Sequence, residues 1–156
     1  MQINKSIRSI TLIKRLTFAA LLTLMLAAPA QAGEEMLPNR KLTPGRVARK
    51  DKDRNGVTEE MERRVFDRYH IPWRRRSEFK VDHLIPLELG GADAVENLWP
   101  QSPHARPYNV QRKELLTQIL LARIAAGKMT LAKAQEEISE DWIACFVEHL
   151  GMVYLR

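Results

Sequence analysis

Cysteine is nearly absent from this chain: one, Cys145, in 156 residues. A lone cysteine excludes an intrachain disulfide and any Cys-x-x-Cys pair, so neither a cystine framework nor a cysteine-built zinc knuckle can hold the fold. Cys145 lies in Trp142-Ile143-Ala144-Cys145-Phe146-Val147, where a small thiol packs as core. Long apolar runs are missing too. The N-terminal run Leu16–Ala28 has 13 residues, against the roughly 20 that cross a bilayer as a helix. Internal repeats and low-complexity tracts are also absent. The length suits one domain with a modest core.

The N-terminus has a three-part pattern. Lys5, Arg8, Lys14 and Arg15 precede the apolar run, and Ala30-Gln31-Ala32 follows it as a small-residue cleavage site. This pattern predicts a secretory signal peptide over residues 1–32 and export to the periplasm or the medium. Loss of those four bases would lower the formal net charge from +6 to +2. The remaining charge is uneven. Residues 33–80 carry 14 bases against 9 acids, and residues 81–156 carry 7 against 10. A basic first half can attract a polyanion such as nucleic acid. A solvated mixed-charge surface accounts for charge alone equally well.

Residues 33–57 read as an extended entry segment, because Pro38, Pro44 and Gly45 break regular structure. Asp51, Asp53, Asn55, Gly56 and Glu62 then fall at the first, third, fifth, sixth and twelfth positions of an EF-hand loop, a pattern for Ca2+. Against calcium, Pro44-Gly45 leaves almost no room for an entering helix, Thr58 takes a position that is usually apolar, and Lys52 and Arg54 dilute the anionic field. The other reading is a solvated Asp/Asn/Gly turn. Thr58 is a helix N-cap followed by Glu59, Glu60 and Glu62, and Met61, Val65, Phe66 and Tyr69 share one face, so an amphipathic helix is expected to end near Tyr69. Trp73 beside Arg74, Arg75 and Arg76 suits contact with a nucleic-acid phosphate backbone, and a solvated loop with Trp73 in the core is the competing reading.

The most informative stretch is 79–113. Asp82-His83 ends a short β-type run, Gly90-Gly91 makes a turn, and Asn97-Leu98-Trp99 follows. An oxygen ligand, a base titrating near neutrality and a group to hold that base are the parts of metal-assisted proton transfer. In order and spacing, Val81-Asp82-His83-Leu84-Ile85-Pro86-Leu87, Gly90-Gly91 and Glu96-Asn97-Leu98 resemble the HNH endonucleases of the ββα-metal fold, with 14 residues from His83 to Asn97. The resemblance is closest over 83–99 and looser over 66–145. It is strongest to small exported bacterial HNH proteins with Asp-His-Leu-Ile-Pro-Leu-Glu-Leu-Gly-Gly and Asn-Leu-Trp-Pro.

That resemblance implies phosphodiester hydrolysis of DNA, with RNA as the other candidate, and a 5′-phosphate product. His83 would be the base, Asp82 a metal ligand and Asn97 the residue that braces the loop and orients the histidine. The implied cofactor is a divalent cation, Mg2+ first and Mn2+ or Zn2+ as alternatives. The chain departs from the family where a His or Asn should open the closing helix, since Arg106 stands there and cannot ligate a cation. Asn109 is the first replacement, His104 the second and Gln111 the third. Arg106 and Lys113 are phosphate-contact candidates beside Arg74–Arg76. Glu88, Asp93 and Glu96 read as solvent-facing loop residues. Without the zinc knuckle common in the family, packing alone must hold the hairpin.

A helix is expected over Val110–Ala126, with Leu115, Leu116, Ile119, Leu120 and Ile124 buried and Gly127 beyond its end. Thr130 caps a second helix to about Ile138, and Ser139 opens a third with Trp142, Phe146 and Val147 inward and His149 in a structural or surface role. Met152–Leu155 reads as a short strand or tail. Together these readings predict an α+β protein whose domain, 58–156, holds a ββα-metal core at 79–126 under N- and C-terminal covering helices. Two functions are carried forward: the metal-dependent endonuclease, and a non-catalytic nucleic-acid- or calcium-binding module on the same scaffold.

Overall fold

The computed structural model describes residues 37–151. The expected signal peptide and the Met152–Leu155 tail lie outside them. The fold is α+β: helix α1 (Glu59–Arg68), strands β1 (Lys80–His83) and β2 (Leu98–Gln101), and helices α2 (Val110–Ala125) and α3 (Leu131–Leu150). The two strands form an antiparallel pair in which Lys80 faces Gln101 and His83 faces Leu98.

Each helix begins where a side-chain oxygen takes up a free backbone N–H. Thr58 accepts from Met61, Asn109 from Arg112 and Thr130 from Lys133. The expected boundary at Ser139 is corrected by two residues. Asp141 leaves helical geometry at φ −158° and ψ 96°, and its Oδ1 accepts from the N–H groups of Ile143 and Ala144. It therefore breaks α3 and caps the second half of that helix.

The main core joins Leu84, Ile85, Leu89 and Trp99 to Leu116 and Leu120 of α2 and to Ile138, Trp142 and Phe146 of α3. A smaller cluster, Val65, Val95 and Leu98, lies under α1. The buried stripe of α2 is rotated from expectation. Lys113, Leu116, Thr117 and Leu120 are buried, while Leu115, Ile119 and Ile124 are half-buried. Leu116 and Leu120 are buried as expected, but apolar spacing missed Lys113 and Thr117, because the N-terminal half of this helix also buries polar side chains. Trp73–Arg76, for which a solvated loop was the competing reading, belongs to a short 3-10 helix, Trp73–Glu78, with Trp73 edge-on to Phe66 at 5.5 Å.

The entry segment docks on the hairpin loop. Gly45 N–H donates to Glu96 O, Ala48 N–H to Gly90 O, and Ala92 N–H to Arg46 O. Thr43, fully buried, donates its hydroxyl to Leu98 O and lies 2.8 Å from the Tyr69 hydroxyl.

Candidate active site at the end of strand β1

Between β1 and β2 the chain makes two 3-10 turns, Leu87–Leu89 and Val95–Asn97, joined through Gly90 and Gly91. Gly90 takes φ +83°, a left-handed conformation that costs glycine least. At Gly91 the requirement is space, since a Cβ there would stand 1.9 Å from Ile85 O. Asn97 fills the centre of the loop with no exposed surface. Its Oδ1 accepts from Ile85 N–H at 2.9 Å and Arg46 N–H at 3.3 Å, and its Nδ2 donates to Ile85 O and Ala92 O at 3.0 Å each. The carboxamide thus uses donors and acceptor together to close loop and entry segment into one unit. Its side-chain partners are backbone groups of the loop and the entry segment, and none belongs to His83.

His83 is held by a residue whose role the sequence did not disclose. Its Nε2 lies 2.8 Å from Asp93 Oδ1, and the side chains are 17% and 5% exposed. The solvent-facing assignment of Asp93 is therefore corrected, because burial is set by its two partners. Asp93 Oδ2 also accepts from Gly56 N–H at 2.6 Å, which ties the turn after Asp53 to the site. A carboxylate only accepts, so Nε2 carries a proton, and in the neutral ring Nδ1 keeps the free lone pair. An acid ten residues after the histidine, in the loop that returns to β2, was the only trace of this pair in the sequence.

Asp82 has a different partner. Lys113 Nζ on α2 stands 2.9 Å from Asp82 Oδ2 and also donates to the His83 carbonyl. Lys113 is 4% exposed, so the surface phosphate contact expected of it is replaced by a buried ion pair. A buried ammonium needs such a counter-charge. The pair has ion-pair distance without hydrogen-bond direction, and Asp82 Oδ2 is buried with no directed hydrogen bond. Beside it opens a cleft of about 360 Å³, lined in part by Lys80, Asp82, Glu88, Lys113 and Glu114.

This donor set suits magnesium, which is held by one or two carboxylates with water and substrate phosphate completing an octahedron. It does not suit zinc, which wants three or four protein ligands. Among the described residues, no group of three close His, Cys, Asp or Glu side chains includes Asp82. The proposed third ligands have other settings. Asn109 Oδ1 caps α2, and His104 and Gln111 are exposed.

In the basic cluster, Trp73 lies between guanidinium groups, with Arg63 Cζ 4.2 Å and Arg76 Cζ 5.3 Å from its ring centre. Arg75 pairs with Glu78 at 2.7 Å, and the Arg75 guanidinium holds the Glu78 carboxyl below its usual range. Arg74 is exposed, as is Arg106 on the 102–109 loop.

At the calcium pattern, residues 37–50 contain no helix, and residues 51–53 form a single 3-10 turn. Asp53 Oδ2 accepts from Arg49 N–H, which holds that carboxyl below its usual range, and Asn55 Nδ2 donates to Lys52 O. Glu62 lies in the first turn of α1, and the 53–56 turn is anchored to Asp93. Without an entering helix the segment lacks half of an EF-hand frame.

On α3, Cys145 lies in the core as expected, and the His149 side chain is buried, which fits the structural role expected of it and not the surface one. Both meet Glu137. Burial, then the carboxylates of Glu137, Glu148 and Asp141, push the Cys145 thiol up to about 12.

No family model, curated protein or solved structure matches this chain.

Proposed function

We propose that this protein is a divalent-cation-dependent endonuclease of the HNH, ββα-metal type, acting on DNA. The observation that carries this reading is His83 at the end of β1, oriented through Nε2 by the buried Asp93 carboxylate in a loop braced by Asn97. A histidine so held accepts a proton at Nδ1 from an attacking water, and Asp93 stabilises the imidazolium that forms. Asp82, beside the open cleft, is the hard oxygen donor for the cation. When bound there, the cation supplies charge stabilisation for the phosphate and the departing oxygen. Lys113 neutralises Asp82 and fixes the His83 carbonyl, which couples α2 to the strand end. Two antiparallel strands followed directly by α2 are the order this family uses.

Plasmid nicking by the purified protein is the test, run with magnesium, manganese, calcium, zinc or EDTA. Nicking is expected with magnesium or manganese and none in EDTA. DNA binding without nicking under every metal would replace this reading with the second one, a binding module on the same scaffold. One observation favours that module: the Lys113 ammonium already balances the Asp82 charge.

Arg74 is exposed and has no ion-pair partner among the described residues, whereas Arg75 is paired with Glu78 and Arg76 rests on Trp73. Replacing all three by alanine is expected to weaken DNA binding and flatten its salt dependence. Arg74→Ala alone should account for about one unit of the log–log salt slope, the loss of a single phosphate contact. An unchanged slope in the triple variant would remove this cluster from the DNA interface.

A further inference from the structure

We propose that Glu137, Cys145 and His149 form a transition-metal site, with zinc as the ion that fits the donors. This proposal is independent of the nuclease reading. Each residue offers one ligand atom, and these atoms all lie within 4.8 Å of one another. Glu137 Oε2 stands 2.9 Å from His149 Nε2 and 3.9 Å from Cys145 Sγ.

The backbone accounts for this convergence. Cys145 and His149 are four residues apart and share one helical face. Glu137 is twelve residues before His149, which in a straight helix would be about 18 Å along the axis. The break at Asp141 returns the first half of α3 toward the second and brings the carboxylate to the other two donors.

The chemistry of the donors selects the ion. A thiolate, an imidazole and a carboxylate are common zinc ligands, while magnesium and calcium prefer oxygen throughout. Zinc bond lengths of about 2.0 Å to N and O and 2.3 Å to S set tetrahedral edges of about 3.3–3.5 Å. The two Glu137 edges, 2.9 and 3.9 Å, bracket those values and the third lies within 4.8 Å, so side-chain rotations would close the site. Cys145 is 3% exposed and the His149 side chain 4%, whereas Glu137, at 17%, marks the side from which an ion enters. Lys133 Nζ lies 3.6 Å from Glu137 Oε1, which leaves Oε2 for the ion.

Binding releases the Cys145 thiol proton to solvent and moves the His149 ring proton, which Nε2 donates to Glu137 in the metal-free geometry, to Nδ1, so that the Nε2 lone pair faces the metal. Three protein ligands leave a fourth position for water. The ion would clamp the two halves of α3 across the break, over the core side chains Trp142 and Phe146.

Cobalt titration of the full chain tests this directly. Cys145 is the only cysteine, so any thiolate-to-cobalt charge-transfer band comes from it. The expected result is that band at one equivalent of cobalt, with the intense visible absorption of a tetrahedral ion, abolished by zinc. Cys145→Ser should lose the band. Glu137→Gln and His149→Ala should each weaken cobalt binding at least tenfold, while His83→Ala should keep wild-type affinity. If Cys145→Ser does not fold, the Glu137 and His149 variants alone decide the outcome. No charge-transfer band in the wild type, or unchanged affinity in both of those variants, overturns the proposal.

Discussion

Asp93→Asn is expected to lower nicking about 10²- to 10⁴-fold, the range that positioned proton transfer contributes, and His83→Ala should bring it to background. The effect of the amide follows from what Asp93 touches. One carboxylate oxygen accepts from His83 Nε2 and the other from Gly56 N–H at 2.6 Å. An asparagine has only one oxygen. If that oxygen stays on Gly56, its NH₂ group faces Nε2, which must then accept, and the ring proton moves to Nδ1. The lone pair that should receive the proton from water is lost. If the amide flips, its NH₂ group faces the Gly56 N–H, and two donors meet in a site where Asp93 is 5% exposed. The first arrangement avoids that clash of donors and should prevail. The loss should therefore fall on kcat, with DNA affinity within a factor of two or so of wild type on the argument that no phosphate contact changes. Wild-type turnover in Asp93→Asn, in a variant with normal helical content, would exclude the His83–Asp93 pair from the reaction.

Asn97→Ala should produce the largest loss of stability, about 3–5 kcal/mol, the scale of a buried network broken at one member. Four hydrogen bonds disappear. The N–H groups of Ile85 and Arg46 and the carbonyls of Ile85 and Ala92 lose their side-chain partner. Asn97 is fully buried, so water cannot replace the amide without opening the loop. The cost of each unmade buried hydrogen bond is about 1–3 kcal/mol, and the four share one side chain, so the total is less than their sum. Against a typical stability of about 5–15 kcal/mol, the variant should melt far below wild type or fail to fold. Asn97→Asp is the informative companion. It keeps the acceptor for Ile85 and Arg46 but sets a carboxylate oxygen against the Ile85 and Ala92 carbonyls, so it should also destabilise, and more so as pH rises and the acid ionises. Thermal unfolding of both variants checks this. A loss below about 1 kcal/mol in Asn97→Ala would mean that the loop is held by packing and by the entry segment instead.

Helix positions were legible from local chemistry. Thr58, Asn109 and Thr130 each accept a hydrogen bond three residues on, and such capping needs no distant part of the chain. Gly90-Gly91 was legible as a turn, although the reason for Gly91, the approach of Ile85 O, was not. The short β-type run ending at Asp82-His83 was legible too, and it is β1.

The sequence by itself determined the α+β class, the caps that start the three helices, and the Gly90-Gly91 turn. Tertiary structure alone decided that Asp93 is buried on His83, that Lys113 balances Asp82, that Asn97 closes the loop on Arg46, and that Glu137 meets Cys145 and His149 across the break at Asp141. The physical reason is range. Caps, turns and amphipathic stripes arise between residues a few positions apart, so residue type and spacing encode them. Whether an acid faces solvent or a partner depends on which segment folds back against it, and charge alone carries no sign of that.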